Sequence, residues 1–107
     1  MSAPHDDLVK KIRLFISEIG GLSCHIETPG LLFDKAGRPV KIGKKGRLDI
    51  AATIKGRSVW IDAKIGKDRL KPDQAKFAAA VQNAGGLAFP AWSVDDVKNT
   101  LRMEGLL

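Results

Sequence analysis

The chain of 107 residues has little cysteine and no long apolar segment. Its single cysteine, Cys24, excludes an internal disulfide and a zinc site built on several cysteines. Free cysteines are commonly buried, so we expect Cys24 to be a small buried residue of a strand. No apolar run approaches the roughly 18 residues that span a membrane, and residues 1–7 lack the basic-then-apolar pattern of a secretion signal. These absences predict an intracellular protein with no membrane partner.

The chain also has fewer acidic than basic residues. The 12 Asp and Glu against 18 Lys and Arg give a net charge of +6, which favours an anionic partner. The basic residues near the middle of the chain fall into two groups, Lys35, Arg38, Lys41, Lys44, Lys45 and Arg47, and then Lys64, Lys67, Arg69 and Lys71. Both groups flank a pair of acids, Asp49 and Asp62. Cations around an acidic centre suit phosphodiester chemistry, because the cations bind phosphates and the acids bind metal; the alternative is two solvated basic loops.

Composition and hydrophobic periodicity predict one α/β domain over residues 1–107. Charged residues make up 28% of the chain and hydrophobic residues 44%, which is typical of a globular protein with a single core. Helices are predicted at 6–19, 72–84 and 94–103, and strands at 22–27, 47–54, 58–65 and 87–91, with a further hairpin within 31–45. This order predicts a mixed β-sheet flanked by helices.

Two neighbouring predicted strands carry the acids. Strand alternation places Asp62 and Lys64 on one face of their strand. If Lys55-Gly56 forms the turn between the strands, Asp49 lies opposite Asp62; if Gly56-Arg57 forms it, Asp49 faces Lys64. In both registers two carboxylates and an ammonium group share one face of the sheet.

Like charges that lie directly opposite each other on a sheet are destabilising. A divalent cation between Asp49 and Asp62 would remove that penalty, and hard oxygen ligands suit Mg²⁺ or Mn²⁺. An Asp followed by Asp-x-Lys is also the arrangement that a metal-dependent nuclease needs. The residues therefore predict metal-dependent hydrolysis of a phosphodiester bond.

Gln74 is a polar residue on an apolar helix face. It shares the helical spacing of Phe77, Ala78 and Val81 in the helix predicted at 72–84. From the first turn it points towards the acidic strands, where its amide could hydrogen-bond a metal-bound water or Lys64. The alternative is a partly exposed glutamine whose hydrogen bonds go to the backbone.

The ordered motifs resemble the VRR-NUC nucleases of the PD-(D/E)XK superfamily, especially the compact stand-alone versions of phages and bacteria. The matching segments are Gly43-x-x-Gly46-x-x-Asp49-Ile50, Trp60-Ile61-Asp62-Ala63-Lys64-x-Gly66-Lys67, Arg69-Leu70-x-Pro72-x-Gln74, Gly85-Gly86-x-Ala88 and Ser93-Val94-Asp95-Asp96-Val97. The resemblance covers nearly the whole chain in the right order, and this ordered set is more specific than an isolated Asp-x-Lys.

The resemblance implies a restriction-endonuclease-like core and Mg²⁺- or Mn²⁺-dependent cleavage of DNA. It implies that Asp49, Asp62 and the backbone carbonyl of Ala63 bind the metal, that Lys64 orients or deprotonates the attacking water, and that Gln74 is the family's glutamine. Compact members are associated with homodimers that cut branched DNA such as Holliday junctions, so a homodimer and branched DNA are expected. The expected DNA contacts are Lys41, Lys44, Lys45, Arg47, Lys67, Arg69 and Lys71.

The chain departs from the family in two places. Position 62 is Asp, where the family more often has Glu. The shorter side chain is expected to change the position of the metal or to weaken its binding. The family also often has an acid on its first helix as a further ligand, for which Asp7 is the first candidate and Glu18 the second. His5 precedes the predicted helix and is expected to have no role.

Two other functions remain open. The first is a catalytically inactive nucleic-acid-binding module on the same fold, although such a module has no use for paired carboxylates that face phosphate. The second is a small basic interaction protein whose acids form salt bridges with Lys64 and Arg47.

Overall fold

The structure is a computed structural model that describes residues 3–26, 32–33, 35–40 and 46–107. The elements in chain order are α1 (Ala3–Glu18), β1 (Leu22–His25), β2 (Leu32–Phe33), β3 (Pro39–Val40), β4 (Ile50–Ile54), β5 (Arg57–Ala63), α2 (Pro72–Asn83), β6 (Leu87–Ala91) and α3 (Val94–Met103). This order confirms the predicted succession of helices and strands. Within the described ranges, no helix is long and apolar enough to cross a membrane.

A four-stranded mixed sheet forms the centre of the fold. Its order is β1-β4-β5-β6. The pairs β1–β4 and β4–β5 are antiparallel, and β6 runs parallel to β5. The parallel pair follows from the α2 crossover between β5 and β6, because parallel strands need a long connection. The chain is therefore an α/β protein with a mixed sheet and flanking helices, as predicted.

The predicted hairpin within 31–45 is present in its central part. Strands β2 and β3 pair antiparallel as a separate two-stranded sheet, with Leu32 opposite Val40. Pro39 is tolerated there because each strand of such a pair has one unpaired side. The remainder of that prediction, residues 31, 34 and 41–45, lies outside the described residues.

The larger apolar core lies between the sheet and the helices α1 and α3. On α1, Val9, Ile12 and Ile16 recur at helical spacing and are buried, as expected for the apolar face of an amphipathic helix. They pack in one cluster with inward-facing strand residues such as Ile50 and Ile61, which are fully buried. This layer fixes the face of β4 and β5 that does not carry the acids.

A smaller apolar cluster lies beneath α2, on the opposite face of the sheet. Leu48 and Ala78 are buried there, together with the rings of Trp60 and Phe77, which meet edge to face at a centroid distance of 4.9 Å. The strand predicted at 47–54 would place Leu48 on the same face as Ile50, and this expectation is wrong. Strand β4 begins only at Ile50, so the preceding segment turns Leu48 towards α2.

The turn between β4 and β5 sets the register of the hairpin. Lys55 and Gly56 both have left-handed φ values, 49° and 77°, which a two-residue type I′ turn requires. Ile54 therefore pairs with Arg57 and Ile50 with Ile61. The alternative register, with the turn at Gly56-Arg57, is wrong.

Two local expectations differ from the structure at the first helix and first strand. Helix α1 begins at Ala3 rather than at residue 6, because Pro4 suits a first helical turn and extends it. Cys24 is exposed rather than buried. It shares a face of β1 with Leu22, which is 73% exposed, on the edge strand of the sheet.

We expect Lys55→Asn to raise the free energy of unfolding by about 0.5–1 kcal/mol, because Asn tolerates the left-handed conformation that a lysine adopts only with strain. Lys55→Gln removes the same charge, but glutamine does not tolerate the left-handed conformation better than lysine, so this variant should leave the free energy of unfolding unchanged. Urea unfolding of both variants measures the difference. Equal stability of the two variants would contradict the turn assignment.

Candidate active site

The acids meet at the end of the β4–β5 hairpin that is remote from its turn. Asp49 immediately precedes β4, and Asp62 is the penultimate residue of β5. An open pocket of about 420 Å³ lies over this end of the sheet. Its lining residues are His5, Asp49, Asp62, Ala63, Lys64, Ile65, Asp68, Arg69, Lys71 and Gln74.

The two carboxylates are held by reciprocal bonds across the hairpin. The Asp49 N–H donates to Asp62 Oδ1 at 3.1 Å, and the Ala63 N–H donates to Asp49 Oδ2 at 3.1 Å. Each acid is thereby fixed to the backbone of the neighbouring strand. The first of the two predicted registers, with Asp49 against Asp62, is the one that brings these groups together.

Asp62 carries the most perturbed charge of the pocket. Its residue is 1% exposed, and Lys64 Nζ lies 2.6 Å from its Oδ2. Burial raises the pKa of Asp62 above its ordinary value of 3.8, and the negative charge of Asp49 raises it further, while the bond from Lys64 opposes this rise. Positive charge near the two carboxylates therefore favours the ionised form of Asp62.

Gln74 connects Lys64 to the start of α2. Its Oε1 accepts from Lys64 Nζ at 3.1 Å and from the Lys71 N–H at 3.0 Å, and its Nε2 donates to Asp62 Oδ1 at 3.5 Å. The two alternatives for Gln74 are thus both realised, since its amide contacts Lys64 and also satisfies a backbone N–H. Lys64 itself is 8% exposed, and these contacts fix its ammonium group at the pocket.

His5 is a site residue that the sequence prediction missed. Its Nε2 donates to Asp49 Oδ2 at 3.0 Å, and the imidazole lines the pocket. With α1 beginning at Ala3, His5 precedes Val9 and Ile12 at helical spacing and so lies on the buried face of the helix. If the apolar stripe of α1 is extended back by one turn from Val9, it reaches His5.

The acids proposed for the first helix do not reach the pocket. Asp7 is 61% exposed at its side chain and pairs with Lys11 one turn later at 2.9 Å. Glu18 is exposed at the other end of α1. The side chain of α1 that bonds Asp49 is instead His5.

The basic residues predicted to bind DNA divide into three sets. Arg69 and Lys71 line the pocket. Lys67 is exposed nearby but does not line it, and Arg47 is half-buried. The remaining three, Lys41, Lys44 and Lys45, lie outside the described residues.

Gly46 lets the segment before Asp49 pass close to α2. Its φ is +83°, and a Cβ at this position would collide with the carbonyl oxygen of Asp73. Asp73 is the residue before Gln74, so this contact sets how closely the first turn of α2 approaches the acids. The glycine of the Gly46-x-x-Asp49 motif is required by backbone packing.

The donor set suits a divalent cation of the magnesium type. Among the described residues, no group of three or more His, Cys, Asp or Glu is arranged to hold a metal ion. Mg²⁺, however, commonly binds through one or two carboxylates and completes its shell with waters and substrate phosphates. Asp49 and Asp62 provide two carboxylates; burial first and then the charge of Asp49 raise the pKa of Asp62, and a bound cation would stabilise the ionised form of both.

Neither a protein-family model nor a curated protein sequence matches this chain. The function is therefore inferred from the residues and from the geometry of the pocket.

We expect Gly46→Ala to be about 1–3 kcal/mol more destabilising than Gly20→Ala, the usual penalty of overpacking. The two glycines have nearly the same φ, 83° and 85°, but a Cβ at Gly20 meets nothing within 4 Å. The difference between the variants in urea unfolding isolates the collision with Asp73. Equal losses would show that Gly46 serves only the backbone conformation.

We expect Asp49→Asn to lower the pKa of Asp62 in metal-free protein, because it removes a nearby negative charge. An acid whose pKa is raised by folding destabilises the folded state when it ionises. The free energy of unfolding that Asp62 contributes thus falls as pH rises from about 3.8 through its raised pKa. Carboxyl NMR titration in EDTA measures the shift, with the exposed Asp95→Asn as a control that should not change it. An unchanged Asp62 pKa would contradict the coupling.

Proposed function

We propose that this chain is a metal-dependent DNA endonuclease with a restriction-endonuclease-like core of the VRR-NUC type. The observation that carries the proposal is the buried Asp62, paired with Lys64 and held against Asp49, at the base of an open pocket. A carboxylate with a perturbed pKa in a cleft is a candidate catalytic group. Asp49, Asp62, Lys64 and Gln74, which belong to the motifs that resemble the family, all line this pocket.

Asp49, Asp62 and the backbone carbonyl of Ala63 would hold Mg²⁺ or Mn²⁺. The bound ion would lower the pKa of a coordinated water and neutralise charge that develops on the phosphate. His5, through its bond to Asp49 Oδ2, orients that carboxylate from the side of α1. The shorter Asp at position 62 is compatible with this role because the hairpin register brings it directly against Asp49.

Lys64 is the residue that would act on the reacting phosphate. Its ammonium group is a compact cation whose position is fixed by Asp62 and Gln74. From that position it would orient the attacking water and stabilise negative charge in the transition state. Gln74 acts through Lys64 and Asp62, so it is a positioning residue.

The rim of the pocket fits a polyanion. Arg69 and Lys71 line its opening, and Lys67 is exposed beside them. Basic side chains around a phosphate site contribute affinity that falls steeply with salt. Together with the net charge of +6, this rim supports a nucleic acid as the substrate.

The resemblance extends the proposal to branched DNA, such as a Holliday junction, and to a homodimer. A two-fold dimer would present two active sites to two strands of one substrate. Sedimentation or light scattering of the protein with and without a four-way junction tests both points.

The two alternative functions account less well for the pocket. A salt-bridged interaction protein accounts for the contact of Asp62 with Lys64, but burying an ion pair is a poor source of stability, since desolvation offsets the attraction. An inactive binding module would gain affinity for phosphate by losing Asp49 and Asp62. The retained acids therefore favour catalysis.

Cleavage assays test the proposal. We expect metal-dependent cutting of a labelled four-way junction with Mg²⁺ or Mn²⁺ and none in EDTA, in a panel that includes flap, duplex and single-stranded DNA. Asp49→Asn should reduce cutting at least about 100-fold and keep or tighten DNA binding, because a negative charge near phosphate is removed. Lys64→Ala should reduce cutting by roughly 10²- to 10⁴-fold.

The matched control is Asp68→Asn, which removes an exposed acid from the same pocket and should cut as the wild type does. Tight junction binding with no cutting of any substrate would instead support the inactive binding module. Unchanged cutting by Asp49→Asn would overturn the assignment of the acids.

A further inference from the structure

A second, shallower hollow adjoins the candidate active site. It measures about 360 Å³ and is lined by Gly66, Arg69 and Trp92. Arg69 lines both this hollow and the pocket over the acids. The two cavities are therefore neighbours that share one exposed arginine.

The guanidinium of Arg69 lies over the indole ring of Trp92. Arg69 Cζ lies 5.3 Å from the centroid of the Trp92 ring, within the range of a cation–π contact. Arg69 Nη1 also donates to the backbone carbonyls of Lys67 and Asp68 at 3.2 and 3.0 Å. The guanidinium is thus held in place by its own loop and by the ring, while the residue remains exposed.

The position of Trp92 follows from the parallel pairing of β5 and β6. The Lys64 N–H donates to the Ala91 carbonyl at 2.9 Å, so Trp92 leaves the end of β6 beside Lys64. The Trp92 N–H is fixed by Asp96 Oδ2 at 2.9 Å. In open α/β sheets, ligands bind beyond the carboxyl ends of such strands.

Tryptophan at this position carries a cost that a phenylalanine would avoid. Among the described residues, Trp92 Nε1 is buried without a hydrogen-bond partner, and an unsatisfied buried donor destabilises the folded protein. A ring chosen for packing alone would not need this donor. The large π-surface under Arg69 is what distinguishes tryptophan here.

We infer that Arg69 and Trp92 form a stacking platform for an unpaired nucleobase, on the nucleotide next to the phosphate that enters the pocket of Asp49 and Asp62. Guanidinium and indole planes both stack on nucleobases without regard to sequence. A base inside an intact duplex is not accessible to such a platform, because it must first be unstacked. The inference rests on the proposed function and adds that one nucleotide beside the cleavage point is unpaired when the substrate is bound.

Binding in EDTA, where no metal supports cleavage, tests the platform. The probes are a fluorescein-labelled oligothymidylate and a blunt duplex of equal length, measured by anisotropy. We expect Trp92→Leu to weaken binding of the single strand by roughly 5- to 150-fold, the worth of one stacked base, and to leave duplex binding unchanged. Trp92→Phe, which keeps a ring, should lose less than Trp92→Leu.

The matched control is Phe15→Leu, which removes a cation–aromatic pair of the same 5.3 Å geometry, with Lys98, among the helices on the other face of the sheet. It should bind both probes as the wild type does. Circular dichroism confirms that each variant is folded at the assay temperature.

Three results would overturn the platform. Trp92→Leu could bind the single strand as well as the wild type, it could weaken both probes equally, or Phe15→Leu could show the same selective loss. If the wild-type protein binds neither probe, the platform fails, whereas the proposed function fails only if the four-way junction is not cut, so the two failures are distinguishable.

Discussion

The register of the β4–β5 hairpin is the constraint on which the site depends. Lys55 and Gly56, both in the left-handed conformation, close a two-residue turn. This turn determines which residues of β4 and β5 pair with each other along the whole hairpin. At the end of the hairpin remote from this turn, the Asp49 N–H donates to the Asp62 carboxylate, and the Ala63 N–H donates to the Asp49 carboxylate. A slip of one residue in the pairing of the strands would put Asp49 opposite Ala63, whose side chain faces the apolar layer beneath α1 and α3, and would separate the two acids.

The site is arranged at the expense of stability. Asp62 is buried beside a second acid, and its raised pKa records the free energy needed to keep it ionised. Lys64 offsets part of this cost, and Gln74 keeps Lys64 in place from the first turn of α2. Because Gly46 has no side chain, its backbone packs closely against Asp73, and this contact holds the first turn of α2 near the acids. The turn at Lys55-Gly56, together with Gly46, Gln74 and Lys64, thus helps to hold the charges of Asp49 and Asp62 in place.

Local patterns predicted those parts of the fold that depend on neighbouring residues in sequence. The order of the elements follows from periodicity, and the approach of Gln74 to Lys64 is one of the two alternatives that its helix position left open. Turn chemistry limited the hairpin to two registers, of which the structure has the one with Lys55-Gly56 as the turn. Features set by tertiary packing were missed. Leu48 leaves the strand pattern to fill the space under α2, Cys24 lies on a sheet face that leaves it exposed, and His5 joins the site because α1 gains a turn before residue 6.

The central claim is that Asp49 and Asp62 bind a divalent cation, and paramagnetic broadening by Mn²⁺ tests it most directly. Substoichiometric Mn²⁺ added to ¹⁵N-labelled protein should first remove the amide signals of Asp49, Asp62 and Ala63, with His5 close behind, and signals near Gly20 should persist. The same titration of Asp49→Asn should show little selective loss. Broadening centred on the exposed acids of α3 (Asp95 and its neighbours), or none at stoichiometric metal, would contradict a metal site at the hairpin end.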